Sequence, residues 1–138
     1  MALGPAKSKG GRIVSDPNSW TPVKVTNNTG GEITSLLVKH RYDTDHYDEK
    51  KWSYIQDGTV VDGLTAGYWT GPFRTGKDYW YVEFEVDGKK YSCKDTFYCF
   101  LTSADADSHN PVMLTVSKGD MTVNPPRSSG CQVKINQP

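Results

Sequence analysis

Aromatic side chains crowd the middle of this chain, where Tyr47, Trp52, Tyr54, Tyr68, Trp69, Phe73 and Tyr79 alternate with Gly67, Gly71 and Gly76. Tyrosine and tryptophan combine an apolar body with a polar tip. On glycine-rich loops they suit stacking on sugars, choline-type headgroups or a membrane interface. Tyr47, Tyr68, Trp69 and Phe73 are the expected stacking groups, with Asp45 and Lys77 as their polar partners. The competing reading is core packing, expected for Trp80 and for at least one of Trp52 and Trp69.

A second constellation would do acid–base chemistry. His40, Asp78, Tyr81 and Glu83 could converge on the concave face of a β-sandwich, as in a small enzyme of fungal secondary metabolism. No sequence motif accompanies them. The chain has no glycine-rich dinucleotide fingerprint, phosphate loop, zinc-protease helix or nucleophile elbow, and nothing calls for a cofactor.

Two oxygen-rich runs are candidate cation loops: Asp43, Asp45, Asp48 and Glu49 around His46, and Asp105 and Asp107 with His109. Neither matches the calcium loop of a helix–loop–helix site, so both read as solvated charge and no metal is expected. Cys93, Cys99 and Cys131 lack the short spacing of a zinc site. An odd cysteine count fits free thiols in a reducing compartment, with a Cys93–Cys99 bridge as the alternative.

Strands must position these groups. Twelve Val and thirteen Thr against six Leu and five Ala favour a pleated backbone, and thirteen Gly and eight Pro punctuate it. Tyr79 to Val86 alternates perfectly, with Trp80, Val82, Phe84 and Val86 on one face. Asp87-Gly88 turns it into Lys89 to Cys93, and Val23–Thr26 with Ile33–Tyr42 makes an earlier hairpin. Asp43 to Lys51 reads as a charged loop, Thr65 to Lys77 as a loop or broken strand, and Ser103 to Pro111 as a polar connection. The expected fold is all-β, an antiparallel sandwich of about eight to nine strands. A flexible leader over 1–19 precedes a single domain over 20–138.

At 138 residues the chain has the length of one domain. Sixteen basic and sixteen acidic residues cancel, with a pI near 6.8, which argues against a nucleic-acid partner. The first residues lack the apolar core of a secretion signal, so a cytoplasmic or unconventionally secreted protein is expected, its Asn27-Asn28-Thr29 sequon unglycosylated.

Val25-Thr26-Asn27-Asn28-Thr29-Gly30, Ile33, Ser35, Val38-Lys39-His40 and Tyr42, then Trp52, Gly58, Tyr68, Thr70-Gly71, Thr75-Gly76-Lys77-Asp78, Trp80 and Val82 form a pattern. It resembles a nematode and fungal family named for proteins up-regulated in long-lived worm mutants of the insulin-like receptor. The match runs over roughly residues 23–86. The resemblance implies an aegerolysin-like β-sandwich. Aegerolysins bind sphingolipid headgroups, some with a larger partner that forms pores, and the worm relatives form a dimer. No binding residue transfers with it. The leading expectation is a non-catalytic module recognising a membrane lipid headgroup or a glycan, with peripheral membrane contact. The enzyme, or a structural protein that homodimerises through a sheet face, is the alternative.

Overall fold

A computed structural model describes residues 16–72 and 76–137. Nine strands and one short helix run in the order β1 (Ser19–Asn27), β2 (Ile33–Asp43), β3 (His46–Ile55), β4 (Val60–Tyr68), β5 (Tyr79–Val86), β6 (Lys89–Ser92), α1 (Ser103–Ser108), β7 (Val112–Val116), β8 (Asp120–Asn124) and β9 (Cys131–Lys134). They form a β-sandwich. One sheet has the order β4-β1-β7-β8-β9 and the other β3-β2-β5-β6. All pairings are antiparallel except β1 with β7.

Period-two patterning decides what each strand buries. On β5, Trp80, Val82, Phe84 and Val86 point inward and Tyr79, Tyr81, Glu83 and Glu85 outward, as the alternation predicts. On β2, Leu36, Val38, His40 and Tyr42 point inward, leaving Leu37, Lys39 and Arg41 on the outer face. These side chains meet Val23, Val25, Leu64, Leu114, Met121 and Val123 of the other sheet in one core. Each fully buried aliphatic or aromatic side chain contributes about 1.5–3 kcal/mol of apolar transfer.

Both flanks of the sandwich are stitched. Between the edge strands β3 and β4, Trp52 Nε1 donates to the Asp62 carbonyl at 2.9 Å and the Gly67 N–H donates to Asp48 Oδ2 at 2.8 Å. On the far side, the Asn136 N–H donates to the Ser92 carbonyl at 2.7 Å. A bulge in β4 opposite Lys24 depends on Gly63, whose φ of +105° strains any other residue, and a Cβ there would sit 2.8 Å from the Lys50 stem.

Several local expectations are corrected, beginning with the earlier hairpin: β1 pairs with β4 and β7 and β2 with β3 and β5, so the two strands lie in different sheets. His46 to Lys51 is not a charged loop but the first half of β3, a strand with a polar inner face at the flank of the sandwich. Thr65–Tyr68 completes β4. Ser103–Ser108 is helical, opened by a capping box in which Thr102 and Asp105 satisfy one another's backbone N–H groups. Order begins before residue 20: the Asn18 N–H donates to the Tyr68 carbonyl, and Asp16 Oδ1 lies 3.2 Å from His46 Nε2. The rest of the expected leader lies outside the described residues. Neither free thiols throughout nor a Cys93–Cys99 bridge is found. Cys99 is joined to Cys131, with their Cα atoms 5.9 Å apart, and Cys93 is a buried free thiol.

Candidate functional site

The acid–base constellation divides between two faces of one sheet. His40 and Asp78 meet inside, both fully buried, with His40 Nε2 2.8 Å from Asp78 Oδ1. His40 Nδ1 lies 3.3 Å from Asp48 Oδ2, so both ring nitrogens are engaged. Asp78 Oδ2 accepts the Leu101 N–H at 2.7 Å, and the Trp80 ring lies 4.8 Å from the imidazole. Burial pulls the His40 pKa down, but the hydrogen bonds and charges of Asp48 and Asp78 outweigh it, and the pKa is raised. Tyr81 and Glu83 lie on the outer face, the Tyr81 hydroxyl donating to Glu83 Oε2 at 2.6 Å. Partial burial first, and then Glu83, push the Tyr81 pKa up to about 12. The buried histidine ties β2 to Asp48 of β3 and to Asp78 just before β5.

The expected stacking residues are also dispersed. Tyr68 is fully buried; its hydroxyl donates to the Thr102 carbonyl at 2.8 Å and accepts from the Thr21 hydroxyl at 2.8 Å. It is a core residue because β4 carries it inward. Trp69 is half-buried against the core, folded over Gly71 so that a Cβ there would overlap its ring. Phe73 lies outside the described residues. Asp45 is exposed in the β2–β3 turn, its N–H donating to Asp43 Oδ1 at 2.8 Å. Tyr47 is 53% exposed on β3, and Lys77 lies just before β5.

Tyr47 and Lys77 are linked through Arg41, Tyr79 and Tyr98. Arg41 on β2 stands opposite Tyr47 of β3 on one side and Tyr79 of β5 on the other. Its guanidinium lies 4.2 Å from the Tyr79 ring centroid. Tyr79 meets Tyr98 edge-on at 6.2 Å, and Tyr98 meets Phe100 at 5.4 Å. Lys77 Nζ lies 4.5 Å from the Tyr98 ring and Lys39 Nζ 4.3 Å from the Tyr47 ring. Three cations and four aromatic rings thus form one end of the outer sheet face. Tyr98 and Phe100 are 44% and 46% exposed.

That signal was present in Phe97–Leu101. Alternation along a wholly apolar run must turn every second side chain outward, and here Phe97, Cys99 and Leu101 are buried while Tyr98 and Phe100 are not. The segment is well anchored. The Cys99 N–H donates to the Asp78 carbonyl at 2.9 Å, Trp80 Nε1 to the Cys99 carbonyl at 3.0 Å, and Cys99 carries the disulfide.

Beside the aromatic end, the sheet face forms an open groove of about 430 Å³ lined by Lys39, Arg41, Glu49, Tyr79, Tyr81 and Asp95, with Leu37 and the largely buried Cys93 in its wall. Neither candidate cation loop survives as such. His46 Nδ1 lies 2.8 Å from Asp43 Oδ1, its ring stacked on Tyr42. Asp105 instead accepts the N–H groups of Thr102, Arg127 and Ser128 and the hydroxyls of Thr102 and Ser128. Burial works against its ionised form, but these donors win and its pKa is lowered. Among the described residues, no group of three or more His, Cys, Asp or Glu is placed to hold a metal ion, and no helix is long and apolar enough to cross a membrane.

The fold and its exposed aromatic–cation end define a β-sandwich with a polar, aromatic-rimmed outer face. The model of the family described as "Up-Regulated in long-lived daf-2" matches residues 17–121, and the chain belongs to that family. No curated protein matches it.

Proposed function

We propose that this protein is a non-catalytic binding module that recognises a membrane lipid headgroup or a glycan at the aromatic–cation end of its β3-β2-β5-β6 sheet. One observation supports this reading above the others. Tyr47, Tyr98 and Phe100 are large, exposed aromatic side chains on anchored backbone; Tyr98 and Phe100 continue the ring contacts of Tyr79, Tyr47 stands across Arg41 from Tyr79, and Lys39 and Lys77 flank them. Rigid aromatic groups bind at little entropic cost, because the backbone that presents them is already ordered.

Compared with the expected loop site, this reading keeps Tyr47 and Lys77, drops the buried Tyr68, and adds Arg41, Tyr79, Tyr98 and Phe100. Peripheral membrane contact through Tyr98 and Phe100 belongs to the same proposal. The test is co-sedimentation with vesicles, alongside binding to immobilised glycans, for the wild type and for Tyr98→Ala/Phe100→Ala. Binding that the double variant loses while keeping its fold supports the site. Binding that the variant retains overturns it.

A further inference from the structure

Lys39 stands directly opposite Glu49 across the β2–β3 ladder, a position in which lysine and glutamate ordinarily pair. The pair does not form. The ammonium lies instead over the Tyr47 ring at 4.3 Å. Lys39, Arg41 and Lys77 make no ion pair with another described residue, nor do Glu49 and Asp95. The groove therefore presents unpaired charges of both signs side by side, with Tyr79 and Tyr81 between them.

That arrangement restricts the ligand. A quaternary ammonium needs open aromatic faces around it, but a face of each of Tyr47, Tyr79 and Tyr98 already carries a cation of the protein itself. A bare anion would satisfy Arg41 and Lys39 and be repelled by Glu49 and Asp95. A carboxylate accepts hydrogen bonds and donates none, so those two groups call for O–H donors. A planar guanidinium beside an ammonium suits a phosphate. Tyrosine rings accept the C–H face of a sugar or cyclitol. The groove volume falls within the range of small-molecule sites.

We infer that the groove takes a phosphorylated polyol ring, its phosphate on Arg41 and Lys39 and its hydroxyls on Glu49 and Asp95. This inference rests on the proposed binding function and names the ligand class for the same site. The chemistry is shared by an inositol phospholipid headgroup and a soluble sugar or cyclitol phosphate.

The test uses phosphatidylcholine vesicles containing phosphatidylinositol, vesicles of equal charge containing phosphatidylserine, and free inositol monophosphate measured by calorimetry. The expected result is pelleting with phosphatidylinositol, at least about tenfold weaker with phosphatidylserine, and competed by free inositol phosphate. Arg41→Gln and Glu49→Gln should each weaken binding about tenfold or more. Both are outer-face positions, and unchanged melting temperatures verify the fold. Binding of the free phosphate without vesicle pelleting supports the same chemistry with a soluble source. Equal pelleting on both anionic lipids, or full binding by Glu49→Gln, means general charge attraction and overturns the inference. Patch-dependent binding of choline lipids or neutral glycans overturns it too, while leaving the binding module standing. If no vesicle, glycan or phosphate binds, both proposals fall.

Discussion

Asp78 holds the buried imidazole of His40 with one carboxylate oxygen, at 2.8 Å, and the backbone N–H of Leu101 with the other, at 2.7 Å. One side chain thereby joins the core of the four-stranded sheet to the segment that displays Tyr98 and Phe100. With Asp48 linking His40 to the Gly67 N–H, the tie spans β2, β3, β4, the start of β5 and residues 97–101.

Removing Asp78 takes the carboxylate away from the Nε2 of a buried imidazole and from the Leu101 N–H. Asp78→Ala is expected to cost about 3–5 kcal/mol, the range for breaking a buried ion pair from one side. Asp48 is partly open to water, where solvent replaces part of what is lost, so Asp48→Ala should cost roughly 1 kcal/mol or a little more. Urea denaturation of the two variants checks the ranking, and equal losses would contradict it.

The same tie sets a pH dependence. The groups facing His40 are the carboxylates of Asp48 and Asp78 and the rings of Tyr68 and Trp80. Its pKa is raised in the fold, so the native state holds this proton more tightly than the unfolded chain does. The stabilisation is complete below the unfolded value of about 6.5 and is lost as pH rises through the raised folded value. The urea midpoint should therefore fall as pH rises above about 6.5 and through the raised folded value, with a shallower slope in Asp78→Asn. A midpoint that climbs over that interval would count against the assignment.

Reduction of Cys99–Cys131 removes a link between residues 32 apart in sequence, and should cost about 2–4 kcal/mol. Burial raises the Cys93 pKa and shields its thiol. Under native, non-reducing conditions a thiol reagent should leave all three cysteines unlabelled, and in denaturant it should label one. Labelling of Cys99 or Cys131 before reduction would refute the pairing.

Asp105 is buried with five donors on its carboxylate, so Asp105→Ala strands several N–H groups at once. A loss of about 2–4 kcal/mol is expected. A thermal melt checks it, and a change smaller than that of an ordinary surface substitution would show that water fills the gap.

What the sequence disclosed followed the strength of its alternation. The β5 faces were legible residue by residue, because Trp80, Val82, Phe84 and Val86 differ so sharply from Tyr81, Glu83 and Glu85. β3 was illegible in its first half. Its inward side chains, His46, Asp48 and Lys50, lie at the flank of the sandwich and stay polar, which erases the contrast. The six-residue helix is too short to show a period, though Thr102 and Asp105 spell its cap. Of the candidate site, Tyr47 and Lys77 were named from the sequence, whereas Arg41, Tyr98 and Phe100 were not. Those three become neighbours of Tyr79 only through strand register and the Tyr79–Tyr98 bridge, which local patterns do not carry. Tyr68 misled because Gly67 and Gly71 look like loop punctuation, while the strand runs straight through Gly67.

The most direct measurement is vesicle co-sedimentation of the wild type beside Tyr98→Ala/Phe100→Ala, with melting temperatures recorded for both. If this end of the sheet is a lipid-binding surface, the wild type pellets with at least one lipid composition, and the double variant keeps its fold but loses about thirtyfold or more in affinity. A double variant that binds as the wild type does would contradict the account.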